Sequence, residues 1–275
     1  MSRGWHESSR FITVGGEALH LVDVGEGGAP LILIHGFLMS SYMWRKNLEV
    51  LSSSRRVVAL CLSGFGWSDV GSGPYDIPSQ GRRVLEMMDV LQIDRACLVG
   101  HSMGGAIALW IARNHPDRVE RMVLVCALAV KKPLSGPWAF TNRRLAILYR
   151  AFFRPTLARL AIQRLAYNGM RVDAEYMRHF IPPLRRPGGV EASLIVAQEC
   201  RKLRNGTDEE LASIGPNTLV LWGDSDRLLP ERIGIRLADK LPQARFISFD
   251  SCGHSPHEEQ PERFNREIAA FIETE

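Results

Sequence analysis

Short apolar runs and helix-like stretches alternate along most of the chain. Pro30–His35 is apolar at nearly every position, as expected for a strand buried on both faces. Pro78–Leu91 begins with a proline and has apolar residues at helical spacing. These patterns predict eight strands, at Phe11–Val14, Ala18–Val24, Pro30–His35, Val57–Leu62, Ala96–Val99, Val119–Leu128, Thr218–Trp222 and Arg245–Phe249. They predict helices at Ser41–Leu51, Pro78–Leu91, Gly104–His115, Pro230–Leu241 and Pro261–Ile272.

This order of elements predicts a mostly parallel sheet that helices cover on both faces. The alternation stops at residues 131–204, which have helix-like stretches but no convincing strand. We therefore predict an α/β core formed by residues 1–130 and 205–275, with residues 131–204 inserted as a helical cap. The cap is expected over the carboxyl ends of the strands, where open α/β sheets bind ligands.

The composition is typical of a soluble globular protein. Of 275 residues, 45% are hydrophobic and 23% are charged. The longest apolar run, Met122 to Val130, has nine residues, whereas a membrane span needs about 20. No apolar signal segment is visible at the N-terminus. The five cysteines are odd in number, and Cys61, Cys97 and Cys126 lie in strand-like runs, which indicates buried, reduced thiols. We expect a cytoplasmic protein that uses neither a metal nor a cofactor.

A candidate nucleophile lies between a predicted strand and a predicted helix. The segment Gly100-His101-Ser102-Met103-Gly104 has the pattern G-x-S-x-G in the context strand, sharp turn, helix. Such a turn strains the central residue and exposes its side chain at the edge of the sheet. The helix dipole then favours negative charge beside the serine. Ser102 is therefore the predicted nucleophile.

A serine hydroxyl needs a general base, and the base needs an acidic partner. Of eight histidines, His254 follows the last predicted strand, so its loop should lie near Ser102. His257 is the rival and is expected to support the loop. No acidic residue occurs between Glu120 and Asp173, which leaves the loop after Thr218–Trp222. Asp226 is preferred there over Asp224 because it lies further into the loop.

The negative oxygen of a tetrahedral intermediate needs hydrogen-bond donors. The amide N–H of Met103, directly after the nucleophile, is one candidate. The amide of Phe37, in the loop after Pro30–His35, is the other, because Gly36 lets the chain turn sharply there. The substrate pocket is expected to include six residues of these loops and of the cap, although core packing explains the aromatic residues of the cap equally well. They are His35, Gly36, His101, Trp138, Tyr149 and Phe152.

The order Ser102, Asp226, His254 is that of the α/β-hydrolase fold, and the sequence resembles this superfamily over essentially its whole length. The matching segments are His35-Gly36-Phe37, Gly64-Phe65-Gly66-x-Ser68, Gly100–Gly105, Gly223–Pro230 and Gly253-His254. The family usually has an aspartate before the Gly-Phe-Gly turn, where this chain has Cys61. The sequence looks like the capped carboxylesterase and monoacylglycerol-lipase-like members.

The resemblance implies hydrolysis of a carboxylic ester or thioester through an acyl-enzyme. Ser102 argues against the relatives that use an aspartate nucleophile, such as epoxide hydrolases and haloalkane dehalogenases. Carbon–carbon bond hydrolases and cofactor-free perhydrolases share the serine triad and stay open as alternatives. A non-catalytic ligand receptor on the same fold is the alternative from another class.

Positive charge is concentrated in the predicted cap. Residues 131–204 contain fifteen Lys and Arg but only four Asp and Glu, although the whole chain has a net charge of +4. Three interpretations are open. The cap is a solvated surface, or it binds an anionic substrate or an acidic acyl carrier, or it docks on an anionic membrane. Nucleic acid is not expected as a partner, because the rest of the chain is acidic.

Overall fold

The computed structural model describes residues 4–71, 73–129, 154–202 and 207–273. An eight-stranded sheet lies at the centre of this part of the chain. Its strands are β1 Ser9–Val14, β2 Glu17–Val24, β3 Leu31–Ile34, β4 Val57–Leu60, β5 Ala96–His101, β6 Val119–Val125, β7 Asn217–Gly223 and β8 Ala244–Phe249. The strand order across the sheet is β1-β2-β4-β3-β5-β6-β7-β8. β2 is antiparallel to both of its neighbours, and the other pairs are parallel. The predicted eight-stranded, mostly parallel sheet is confirmed.

Helices connect the strands and cover the sheet. They are α1 Leu48–Leu51, α2 Ile77–Val90, α3 Met103–Asn114, α4 Pro155–Leu165, α5 Ala174–Arg185, α6 Gly189–Lys202, α7 Asp208–Ala212, α8 Arg232–Lys240, α9 Pro256–Glu259 and α10 Pro261–Glu273. Short 3₁₀ helices occupy Ser41–Trp44 and Pro116–Arg118. Buried residues of α2, α3 and α8 pack on one face of the sheet, and those of α1 and α10 on the other.

The apolar run of β3 shows why both faces carry helices. Ile32 and Ile34 pack into one hydrophobic cluster, whereas Leu31 and Leu33 pack into the other. Successive side chains of a strand point to opposite faces, so a strand in the middle of the sheet needs apolar residues at every position.

Two predicted elements differ from the structure by more than a shift of one or two residues at an end. β6 stops at Val125 rather than at Leu128, because Cys126 adopts a left-handed backbone conformation with φ +43°. Its amide donates to the carbonyl of Leu221, and the chain then leaves the sheet. The predicted helix Ser41–Leu51 is divided into the 3₁₀ turn and α1. Asn47 lies between them, and its side chain donates to the carbonyl of His257 instead of facing solvent.

Cys61 anchors the loop in which the family usually has an aspartate. Its sulfur lies 3.4 Å from the amide nitrogen and 3.3 Å from the hydroxyl oxygen of Ser41. The ring of His20 lies 3.3 Å away on its other side, measured from Nδ1 to the sulfur. Cys61 is fully buried. The thiol therefore contacts polar groups that would also suit a carboxylate.

Along the chain, helices α4, α5 and α6 follow β6 and precede β7, and they form the described part of the predicted cap. Residues 154–202 are called the 154–202 segment below. Ala158, Ile162, Tyr167 and Phe180 of this segment form a hydrophobic cluster that also includes Tyr42 of the core. Trp138, Tyr149 and Phe152, predicted for the pocket, lie outside the described residues. Among the described residues, no helix combines the length and the apolar character that crossing a bilayer requires.

Candidate active site

Ser102 lies at the turn between β5 and α3 with φ +51°, a conformation that non-glycine residues rarely adopt. Its amide donates to the carbonyl of Val125 at 2.9 Å, and its carbonyl accepts from the amide of Leu128 at 2.8 Å. The backbone of Ser102 is thus held from both sides by the chain that leaves β6. These hydrogen bonds keep the strained turn in place and leave the side chain partly exposed.

Glycines allow the loops around Ser102 to approach closely. A Cβ on Gly104 would lie 2.3 Å from the carbonyl oxygen of Ile34, so any larger residue at position 104 would clash with the backbone of that strand. A Cβ on Gly36 would lie 2.6 Å from Nδ1 of His101 and 3.1 Å from Cβ of Ser102. The loop after β3 therefore lies directly against the serine turn.

His254 and Asp226 form a buried hydrogen-bonded pair. Nδ1 of His254 donates to Oδ2 of Asp226 at 2.6 Å. The other carboxylate oxygen, Oδ1, accepts from the amides of Leu228 and Leu229, both at 2.8 Å. With Nδ1 protonated, the neutral ring has an acceptor at Nε2, which is the form a general base needs.

The carboxylate of Asp224 accepts hydrogen bonds from the backbone of the loop that precedes His254. Its carboxylate accepts from the amide of Ser251 at 3.0 Å and from that of Cys252 at 3.2 Å, as well as from the hydroxyl of Ser225. Burial opposes ionisation, but these hydrogen bonds outweigh it and lower the pKa of Asp224. Asp224 thus shapes the loop before His254 without contacting the ring.

His101 links the serine turn to the loop of His254. Its Nε2 donates to the carbonyl of His254 at 2.8 Å, and the two ring centroids lie 4.7 Å apart. Burial, with His254 and His257 nearby, lowers the pKa of His101 well below its usual value. The turn and the histidine loop are therefore in contact through His101. Among the described residues, the hydroxyl of Ser102 forms no hydrogen bond.

His257 is fully buried and packs against the rings of Trp44, His101 and Phe264. Neither of its ring nitrogens has a hydrogen-bond partner among the described residues. Burial, followed by the charge of Arg45, lowers its pKa well below the usual value. Because His257 lacks the carboxylate partner that His254 has, the geometry favours His254 as the base.

The candidate oxyanion donors are backbone amides at the start of α3 and in the loop after β3. Met103 is the first residue of α3, so its amide belongs to the N-terminal turn, whose N–H groups lack partners within the helix. Phe37 is buried and follows Gly36 directly. His35 is fully buried, its Nδ1 donates to the carbonyl of Gly36, and its Nε2 accepts from the amide of Leu62. Burial lowers the pKa of His35 to about 4, so its ring is neutral and holds the loop.

A narrow groove runs beside the candidate oxyanion loop. It separates the segment after Phe37 from α5 of the 154–202 segment. Its lining is mainly apolar and aromatic, and includes Leu38, Met39, Tyr42, Tyr176, Phe180 and Leu184. Neither Ser102 nor His254 is among the described residues that line it.

Cys126 gives the site a feature that the sequence analysis did not assign. Its sulfur, a carboxylate oxygen of Asp226 and a ring nitrogen of His254 all lie within 4.8 Å of one another. Burial, followed by the charge of Asp226, raises the pKa of Cys126 well above its usual value. The residue is thus a neutral thiol. These donor types can hold a soft metal ion, but His254 and Asp226 already hydrogen-bond to each other.

The structure also buries an acidic residue that has no place in the predicted triad. Glu258 is fully buried and forms an ion pair with Arg45, and the hydroxyl of Tyr167 donates to its carboxylate. Burial, followed by the Glu258 charge, raises the pKa of Tyr167 well above its usual value, which keeps that hydroxyl a donor. The hydrogen bond from Tyr167 joins the core to the 154–202 segment. No local pattern in the sequence distinguishes Glu258 from a surface glutamate, because its partners are distant along the chain.

Replacing Glu258 with alanine is expected to lower the free energy of unfolding by about 3 kcal/mol, because breaking one half of a buried ion pair leaves the other half without its partner. Arg45 and the hydroxyl of Tyr167 would both lose the carboxylate that accepts from them. Urea unfolding followed by circular dichroism measures the change. The control is Glu267→Ala, which removes the more exposed pair with Arg245 and should cost less than about 1 kcal/mol. Equal losses in the two variants would contradict the assigned role of Glu258.

Comparisons with known proteins agree on the fold. Residues 29–261 match the family described as alpha/beta hydrolase fold. The chain is 32% identical to 2-hydroxymuconate semialdehyde hydrolase of Pseudomonas putida, over 97% of this chain and 94% of that protein. The solved structure of a meta-cleavage product hydrolase from Pseudomonas fluorescens IP01 has a TM-score of 0.77 at 28% identity, covering 96% of this chain and 97% of that one. A thermophilic esterase from Thermogutta terrifontis has a TM-score of 0.79 at 26% identity, covering 97% and 99%.

Proposed function

Because the chain belongs to the alpha/beta hydrolase fold family, we propose that it is a serine hydrolase that cleaves carboxylic esters through an acyl-enzyme. The observation that carries the proposal is the buried hydrogen bond of 2.6 Å between His254 and Asp226, in a loop that contacts the strained Ser102 turn through His101. Nucleophilic catalysis by serine needs a turn that exposes the hydroxyl and a histidine that a carboxylate orients, and these two features support the proposal.

Each residue has a role in the proposed reaction. The hydroxyl oxygen of Ser102 attacks the carbonyl carbon of the ester while Nε2 of His254 takes the hydroxyl proton. The carboxylate of Asp226 holds the ring in this tautomer and stabilises its charged form. The amides of Phe37 and Met103 donate to the tetrahedral oxyanion. His254 then returns the proton to the departing alcohol, and water, activated by the same ring, releases the acid from Ser102.

Hydrolysis of a carbon–carbon bond is the second candidate, and the names of the relatives favour it. The 2-hydroxymuconate semialdehyde hydrolase and the meta-cleavage product hydrolase named above act on ring-cleavage products. In that reaction the attacked carbonyl belongs to a ketone or an aldehyde, and the leaving group departs on carbon and must be protonated there. The groups that act on the carbonyl are the same, so the triad alone does not separate the two reactions.

A substrate panel tests the proposal. Purified protein is assayed with p-nitrophenyl esters of increasing acyl length and, separately, by the decay in absorbance of a dienone ring-cleavage product. We expect ester turnover that exceeds dienone decay in kcat/KM. Dienone decay without ester turnover would establish the second candidate instead. Labelling of the protein by a fluorophosphonate without turnover of any substrate would favour a ligand receptor on this fold.

A further inference from the structure

The C-terminal end of α4 touches both loops that carry the proposed acid and base. The side chain of Arg227, next to Asp226, donates to the carbonyl of Arg164 at 2.9 Å. The amide of His254 donates to the carbonyl of Ala166 at 2.8 Å. Carbonyls in the last turn of a helix lack partners within the helix, so they accept from other groups. Here the accepted hydrogen bonds come from the two catalytic loops.

The carboxylate of Glu259 joins the same two parts of the molecule. One oxygen, Oε2, accepts from the amide of Asn168 at 2.7 Å, just beyond α4. The other, Oε1, accepts from the amides of Gly253 at 2.9 Å and Ser255 at 3.3 Å. Glu259 is only partly exposed, and its side chain lies between the loop and the 154–202 segment.

These contacts hold the backbone of His254 on both sides. The amides of the residues before and after His254 donate to the carboxylate of Glu259. The amide of His254 itself donates to the carbonyl of Ala166. A Cβ on Gly253 would lie 2.9 Å from the carbonyl oxygen of Ala166 and 2.9 Å from the amide nitrogen of Asn168, so the two chains pack closely. A rotation of this backbone would move the imidazole out of the alignment that proton transfer requires, and a displacement of about 1 Å can cost roughly 10²-fold in rate.

We propose that Glu259 is a positioning residue for His254, which aligns the base by tying its loop to residues 166–168 of the 154–202 segment. The proposal rests on the proposed function, because it takes His254 as the general base. Glu259 accepts from backbone amides of the two segments and from the thiol of Cys252, so it acts on His254 through the loop. In consequence, the placement of the 154–202 segment sets the alignment of the base.

Three variants test this role: Glu259→Ala, Glu259→Gln and, as a control, Glu262→Gln. Glu262 is exposed and lies only three residues away. We expect Glu259→Ala to lower kcat by roughly 10- to 10²-fold, in the range that misplacement of a reacting group causes, with KM changed less than about threefold. Glu259→Gln retains one acceptor oxygen and should show an intermediate loss. Glu262→Gln should match the wild type.

A second readout does not depend on turnover. The proton between Nδ1 of His254 and Asp226 should give a low-field proton NMR signal, which His254→Ala assigns by abolishing it. We expect Glu259→Ala to broaden or remove this signal at a temperature where circular dichroism shows the variant folded. If Glu259→Ala does not fold, the same measurement is made on Glu259→Gln.

The outcomes separate the two proposals. Wild-type kcat together with an unchanged low-field signal in Glu259→Ala would overturn the role of Glu259. Equal losses of kcat in Glu259→Gln and Glu262→Gln would overturn it as well. Absence of turnover and of fluorophosphonate labelling in the wild type would overturn the proposed function, while the NMR signal would still report whether Glu259 aligns His254.

Discussion

Replacement of Ser102 with alanine is expected to lower kcat for p-nitrophenyl esters by roughly 10⁶-fold, the loss that removal of a triad nucleophile causes. The substitution removes the attacking oxygen and leaves the turn in place, because alanine and serine bear the same strain at φ +51°. The midpoint of urea unfolding should therefore stay close to that of the wild type. Ester kinetics and urea unfolding of the same preparation measure both effects.

Ser102→Gly is the matched control for that result. It also removes the nucleophile, but glycine adopts a positive φ without steric cost, so the variant should be more stable than Ser102→Ala by about 1 kcal/mol. Both variants should be inactive and should fail to react with a fluorophosphonate. Activity of Ser102→Ala within about tenfold of the wild type would remove Ser102 from the mechanism.

Asp226→Asn is expected to lower kcat by about 10⁴-fold, because it imposes the wrong tautomer on His254. The amides of Leu228 and Leu229 both point at Oδ1 and require an acceptor there. An asparagine oxygen would take that position, which directs its NH₂ group at Nδ1 of His254. The ring would then accept at Nδ1 and carry its proton on Nε2, where it could not take a proton from Ser102. Steady-state kinetics over a pH series measure the loss.

Asp224→Asn is the control for Asp226, since it makes the same chemical change two residues earlier. Asp224 accepts from backbone amides of the His254 loop and does not contact the ring. One acceptor oxygen remains in asparagine, so we expect a loss of less than about tenfold. If Asp224→Asn were the variant that lost several orders of magnitude, the acid of the triad would be Asp224.

The local features of this protein could be predicted from its sequence. Buried strands such as β3 appear as apolar runs, and the turn at Ser102 has its own pattern of glycines, because both depend on residues that are neighbours in the chain. The confirmed sheet follows from such signals. The ends of elements were less predictable. β6 ends three residues early because Cys126 adopts a left-handed conformation with φ +43°, which is rare for a residue other than glycine.

The sequence by itself determined the strands, the alternation with helices, the family and a short set of candidate residues. Only the tertiary structure decided how these candidates pair. It placed Asp226 rather than Asp224 against a histidine, and it gave that carboxylate to His254 rather than to His257. It also buried Glu258 beside Arg45 and set Glu259 between the base loop and α4. The physical reason is that hydrogen bonds and ion pairs of these groups join loops distant in the chain, which meet only when the sheet has formed.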